Sequence, residues 1–150
     1  MRLVETFKHG TFWIEGDEEH IHAHDDCLGF TGSFVNVAHG HVYAGAHAFF
    51  AQNVRLLTTS HDYAKFGRER IESTYTARNC DIVIGDGVWV ADSAIVVGPC
   101  DIGEHSVVSA GAVVTGTFSP YSLIHGNPGH VVQDIRERST DPKPCERCKA

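Results

Sequence analysis

The sequence predicts an all-β chain wound as a parallel β-helix, and three observations predict it. Residues 82–118 read IVIGDGVWVADSAIVVGPCDIGEHSVVSAGAVVTGTF, and sixes counted from Ile84 place Ile84, Val90, Val96, Ile102, Val108 and Val114 in one column without an insertion. Four places further along each six stand Val88, Ala94, Cys100, Ser106, Ala112 and Phe118, all but the last small or modest in volume. Small, polar or glycine residues fill most of the remaining places. A period of six is neither the 3.6 of an amphipathic helix nor the alternation of a half-buried strand. It matches a solenoid in which each six makes one flat face and three faces close a coil of about 18 residues. Coils stack at roughly 4.8 Å, so each residue lies above its counterpart one coil earlier. Branched chains then fill the interior of a face, small ones sit where the wall turns, and neighbouring coils satisfy the backbone.

Length and composition bound the rest. A chain of 150 residues holds one domain with a real core, expected here over residues 1–135, with 136–150 as a loose tail. The formal charge of -7 argues against a general nucleic-acid binder, which would need a basic face. No apolar run approaches the length of a transmembrane helix, and the charged start MRLVETFKHG lacks the apolar stretch of a signal peptide, so a cytoplasmic protein without a membrane span is expected. The cysteines, Cys27, Cys80, Cys100, Cys145 and Cys148, are odd in number and do not suggest a disulfide framework.

Along the chain, residues 1–26 are the most acidic part, with seven carboxylates against Arg2 and Lys8. Within them His20, His22 and His24 alternate with Ile21 and Ala23, so an extended strand would project all three imidazoles from one face. Such a trio could gather a transition metal. No partner ligand is fixed by spacing, however, so a solvated polar face is the reading taken and no metal is expected.

Residues 29–60 carry a looser form of the rhythm. Ala38, Ala44, Phe50 and Leu56 form one column, and Val42, Ala48, Val54 and Ser60 the other, as earlier coils of the same prism. Phe34, Tyr43, Phe49 and Phe50 read as end-packing or interface residues. The column then breaks over a step of 28 from Leu56 to Ile84, which places an excursion at about residues 62–79, polar and mixed in charge. A long loop interrupting a solenoid is commonly functional. Arg68, Arg70 and Arg78 could meet an anion there, although Glu69 and Glu72 partly cancel them.

After the coils, Pro120, Gly126, Asn127, Pro128 and Gly129 mark turns. HVVQDIRER is then expected to begin a short C-terminal helix with Val131, Val132 and Ile135 on its apolar side. In the tail, Cys145 and Cys148 form a single CxxC pair, half of a tetrahedral zinc site.

Taken together, LLTTSHD, the excursion, the regular run of sixes and SPYSLIHGNPGHVV resemble the hexapeptide-repeat acetyltransferases, in the branch of maltose, galactoside and polysaccharide O-acetyltransferases, over roughly residues 36–135. The resemblance implies a left-handed β-helix, a homotrimer, and acetyl-CoA as acyl donor in the groove between neighbouring prisms. It also implies transfer to a hydroxyl of a sugar or surface-polysaccharide precursor, with N-acetylation of an amino sugar as the near variant.

The family's catalytic base is a histidine at the end of a coil just before the extended loop, which here is His61 in TTSHD. Its cofactor contacts fall on Trp89, Ala91, Ala110, Thr115 and His130. Ala110, in SAGAVV, matches the small residue that receives the pantetheine arm. Two departures stand out: where members commonly carry cations for the coenzyme A phosphates, this chain has Gly116 and His130, and Arg136 and Arg138 are candidate substitutes.

Two other functions remain open at this level. One is a zinc lyase resembling the γ-class carbonic anhydrases, which bind zinc through histidines in an H-x4-H arrangement. The one pair here with that spacing, His125 and His130, lies beyond the repeats. The other is a catalytically silent trimeric assembly protein, since fold alone does not secure function.

Overall fold

The computed structural model describes residues 12–29, 32–58, 60–73 and 80–137. Over these residues the chain is a parallel β-helix with three faces. The first face stacks β2 (Ile21–Ala23), β5 (Val42–Ala44), β8 (Ile82–Ile84) and the C-terminal halves of β10 (Ile95–Ile102) and β12 (Val113–Phe118). The second stacks β3 (Leu28–Gly29), β6 (Phe49–Phe50), β9 (Trp89–Val90), β11 (Val107–Val108) and β13 (Ser122–His125). The third stacks β1 (Trp13–Gly16), β4 (Phe34–Val37), β7 (Arg55–Leu57) and the N-terminal halves of β10 and β12. All these pairings are parallel.

Each face sends a column inward, and the first face adds a second one, Ile21, Val42, Ile82 and Cys100, all buried. Ala44, Ile84, Ile102 and Phe118 line the first, Phe50, Val90, Val108 and Ile124 the second, and Val35, Leu56, Val96 and Val114 the third, all buried. At the turns between faces sit Cys27, Ala48, Val88 and Ser106, and Val54, Ala94 and Ala112, also buried. The interior narrows there, which is why the small column is small. Two polar side chains share these positions: the Ser106 hydroxyl donates to Ser119 O at 3.2 Å and accepts from Ser122 N at 3.0 Å, whereas the buried hydroxyl of Ser33, one coil below Val54, has no hydrogen-bond partner.

The coils differ in length, and one edge of the prism absorbs the difference. Register steps by 21 residues between the early coils, as Val35 beside Leu56, and by 18 in the regular run, as Val90 beside Val108. It steps by 16 at the end, as Ile102 beside Phe118. The edge between the third and first faces carries residues 38–41 in one coil, 58–81 in the next, then 98–99, then Thr115 alone. Two sequence expectations shift for this reason. Ala38 and Ser60 lie exposed at that edge rather than in their columns, and Phe118 stacks on Ile102 in the large column rather than the small one. Phe50 is core, whereas Tyr43 and Phe49 stand outside it.

The excursion contains α1 (Gly67–Glu72), and its residues 74–79 fall outside the described residues. At the other end, the expected C-terminal helix is a strand: β14 (His130–Asp134) pairs antiparallel with β13, and only a 3-10 turn, Ile135–Glu137, follows. An open solenoid end leaves a row of backbone donors and acceptors unpaired, and a strand covers them where a helix would not. Arg138, the tail with Cys145 and Cys148, and Arg2, Glu5 and Lys8 lie outside the described residues.

Candidate active site

The variable edge carries the excursion and His61. Gly40 lets the excursion leave and return there, because a Cβ on it would stand 2.9 Å from Cys80 C and 3.1 Å from the Thr58 side chain. The Thr58 hydroxyl donates to Asn36 O at 2.9 Å, fastening the outgoing leg. Asp81 accepts from His41 N at 2.8 Å, and Ile82 N donates to His41 O at 2.8 Å, fastening the returning leg. Both roots of the excursion are thus seated on residues 36–41 of the coil below.

Three residues past Thr58 comes His61, exposed. Its Nδ1 lies 3.1 Å from Ser73 O. A carbonyl oxygen only accepts, so Nδ1 carries the proton, and in the neutral ring Nε2 keeps a bare lone pair. Ser73 is held in turn at the C-terminus of α1, where its N–H donates to Glu69 O at 2.9 Å. The arm between is stitched internally. Lys65 Nζ meets Glu69 at 2.7 Å, Arg68 Nε meets Glu72 at 2.6 Å, and Arg70 donates to Lys65 O and Tyr63 O while lying over the Phe66 ring. Arg68 and Arg70 thus each have partners within the arm, and Arg78 is outside the described residues. The arm's apolar side chains are not covered: Tyr63 and Phe66 are each 77% exposed and Ile71 74%.

The other residues singled out in the sequence lie elsewhere on the prism. Trp89 points outward from the second face, stacked on Phe49 at 5.7 Å with planes 12° apart. Leu28, one coil below Phe49, continues this exposed apolar ladder. The second face lies across the prism from the edge that bears His61, so Trp89 and His61 do not meet within one chain. Ala91 and Ala110 occupy successive turns between the second and third faces, Ala91 buried and Ala110 exposed. Thr115 is on the His61 edge, exposed, its hydroxyl 3.4 Å from Pro99 O. His130 opens β14, exposed, with Nδ1 3.3 Å from Pro128 O.

Gly116 has a structural reason for not being lysine. Its φ is +91°, where the shortened last turn passes from one face to the next, a region that disfavours any residue with a Cβ. Arg136 is committed to a terminal clasp: it hydrogen-bonds Asp134 and lies 4.7 Å over the Tyr121 ring. That bonding holds the Asp134 carboxyl down at about 2. The buried thiols are the opposite case. Burial pushes Cys27 up to about 11 and Cys100 to about 12, which makes them poor nucleophiles.

The three early histidines do not converge. His20 donates from Nδ1 to Val37 O at 2.9 Å, His22 pairs with His41, and His24 lies 3.5 Å from Asp26. Among the described residues no group of three or more His, Cys, Asp or Glu side chains is placed to hold a metal ion, and His125 and His130 are only register partners across β13 and β14.

Residues 81–116 match the family model described as bacterial transferase hexapeptide (six repeats). The chain carries a hexapeptide-repeat transferase domain. A galactoside O-acetyltransferase of Escherichia coli (strain K12) is 28% identical to it over 97 residues, which is 65% of this chain and 46% of that protein. Among solved structures, a maltose O-acetyltransferase from Clostridium difficile 630 superposes with a TM-score of 0.64 at 24% identity, covering 89% of this chain and 72% of that one. An acetyltransferase of Vibrio cholerae O1 biovar eltor complexed with acetyl coenzyme A gives 0.59 at 21% identity, covering 87% and 73%. These neighbours share the left-handed β-helix with this domain. The chain spans about half the length of the curated relatives it matches.

Sequence reasoning missed the partners of His61 and Trp89. The carbonyl of Ser73 carries no side-chain signal. Phe49 was visible only as an aromatic, because its stacking with Trp89 needs a register that skips the whole excursion.

Proposed function

We propose that the chain is an acetyl-CoA-dependent O-acetyltransferase that acetylates a hydroxyl of a sugar or a surface-polysaccharide precursor, with His61 as general base. One observation carries this reading: the Nδ1–H of His61 is occupied by Ser73 O, which leaves Nε2 as the basic nitrogen at the mouth of the edge. The donor supplies an acetyl group activated as a thioester. His61 Nε2 takes the proton of the acceptor hydroxyl as that oxygen bonds the acetyl carbon, then returns it to the leaving sulfur, so no covalent enzyme species is needed. The exposed Trp89–Phe49 ladder is apolar and Ala110 is an exposed small residue, which suits contact with a pantetheine arm. Gly116 and the neutral form of His130 offer the phosphates less than lysine would.

The proposal includes a homotrimer with sites between subunits. The exposed apolar arm and the exposed apolar ladder lie on opposite sides of one prism, so each needs a second copy to cover it. Such a head-to-tail contact makes a ring of three where its rotation closes at 120°. A cytoplasmic setting, where acetyl-CoA is available, belongs to the same proposal.

The test is acetyl transfer to a panel of sugars by the wild-type chain and by His61→Ala, with particle mass from light scattering on the same samples. A trimer that turns over and loses activity by about 10²–10⁴-fold in the variant, with its mass unchanged, supports the reading. Undiminished transfer in the variant rejects His61 as the base.

A further inference from the structure

The first coil is fastened to the second by imidazoles as well as by backbone. His22 Nε2 lies 3.0 Å from His41 Nδ1. Their ring centroids are 5.2 Å apart, matching the N···N distance plus the two ring radii, so the nitrogens point at each other. Lone pairs aimed head-on cannot converge on a metal, which needs both nitrogens about 2.0–2.1 Å from one point. They can share one proton, with one imidazole donating and the other accepting.

The surroundings tie this pair to the excursion. His20 is 4.4 Å from the His41 ring and Tyr43 is stacked on His22 at 4.7 Å. Through its backbone, His41 holds Asp81 and Ile82, the returning root of the arm that carries His61. The titratable groups on the elements around the pair are His20, Tyr43, His39 and Asp81, with Glu18 and Glu19 in the 3-10 turn before β2 and the His24–Asp26 pair after it.

We propose that His22 and His41 form a proton-sharing fastener between the first two coils, closed while the pair holds one bridging proton and opened when both rings are protonated. With a proton on each facing nitrogen the pair has no acceptor, and two like charges confront each other beside a third imidazole, His20. The coil bearing β1 to β3 then loosens, and the seat of the excursion with it, while the regular run above is unaffected. This inference is independent of the proposed transfer chemistry, because it concerns the folded chain without substrate.

Hydrogen exchange of the full chain at pH 8 and pH 5, corrected for intrinsic rates, reads it directly. Imidazoles as a class change charge across that interval, and carboxylates as a class do so below it. Protection over residues 13–29 is expected to fall at least fivefold more than protection over 84–114 on going to pH 5. The double variant His22→Gln with His41→Gln puts non-titrating amides in place of this pair and leaves His20, His24 and His39 as they are, so its excess loss should vanish. Equal loss in both regions of the wild type, or an excess loss that persists in the variant, overturns the proposal. Should the variant fail to fold, imidazole nitrogen shifts of the wild type decide it: two separated protonation steps for His22 and His41 support a shared proton, and independent single-step titration rejects it.

Discussion

Two edges of the prism repeat and the third does not, and the difference separates the regular scaffold from the excursion that carries His61. At the edges flanking the second face, each turn is a short copy of the one below, as in residues 45–48, 85–88 and 103–106, whose interior position is Ala48, Val88 or Ser106. Stacking at a fixed rise forces like conformations on like positions, so insertion is resisted there. The edge between the third and first faces varies from one residue to twenty-four. Freed from strict repetition, it carries His61, His20, His41, Asp81 and Thr115, and the excursion itself. The domain keeps its buried apolar side chains in the repeating columns and the candidate base where the repeat is broken.

That contrast can be broken from either side. The largest stability effect should come from the columns: Leu56→Ala, a fully buried side chain between Val35 and Val96, is expected to cost about 2–5 kcal/mol in urea unfolding. A loss under 1 kcal/mol would mean that the column is not the core. On the variable edge Gly116→Lys should cost less, about 1–2 kcal/mol, because nothing within 4 Å crowds a Cβ and the penalty is the positive φ alone. If coenzyme A phosphates pass there, the same variant should also lower the KM for acetyl-CoA, which steady-state kinetics reads separately from stability.

The smallest effect belongs to the terminal clasp. Asp134 has a folded value of about 2, below its ordinary 3.8, owing first to the side-chain hydrogen bond from Arg136. A depressed carboxylate contributes stability above its unfolded value and loses it as pH falls through the folded one, so the clasp should persist to pH 4 and fade towards pH 2. Carboxyl NMR of Asp134 in Arg136→Ala should show titration near the ordinary value. An unchanged low value would assign the depression to another group.

Not everything here was open to a reader of the chain. The regular run from Ile84 to Val114 was legible because every coil offers its residues the same environment, which writes the period into the sequence. The candidate base was legible for a related reason, since a break in a strict repeat marks where the chain leaves the scaffold. The terminal segment was misread because Val131, Val132 and Ile135 fit a helix as well as a strand. The unpaired rim of β13 decided between them.

The sequence by itself determined the prism, the length of its regular coils, and the position of His61 at the interruption. Only the tertiary structure decided which edge takes the irregular lengths, and that His61 Nδ1 is occupied by Ser73 O. It also decided that His22 faces His41 across 19 residues, and that Trp89 stacks on Phe49 across the excursion. The physical reason is the same for each. A repeat is encoded by local volume and branching, whereas a contact between coils depends on how many residues each turn has spent before the chain comes round again.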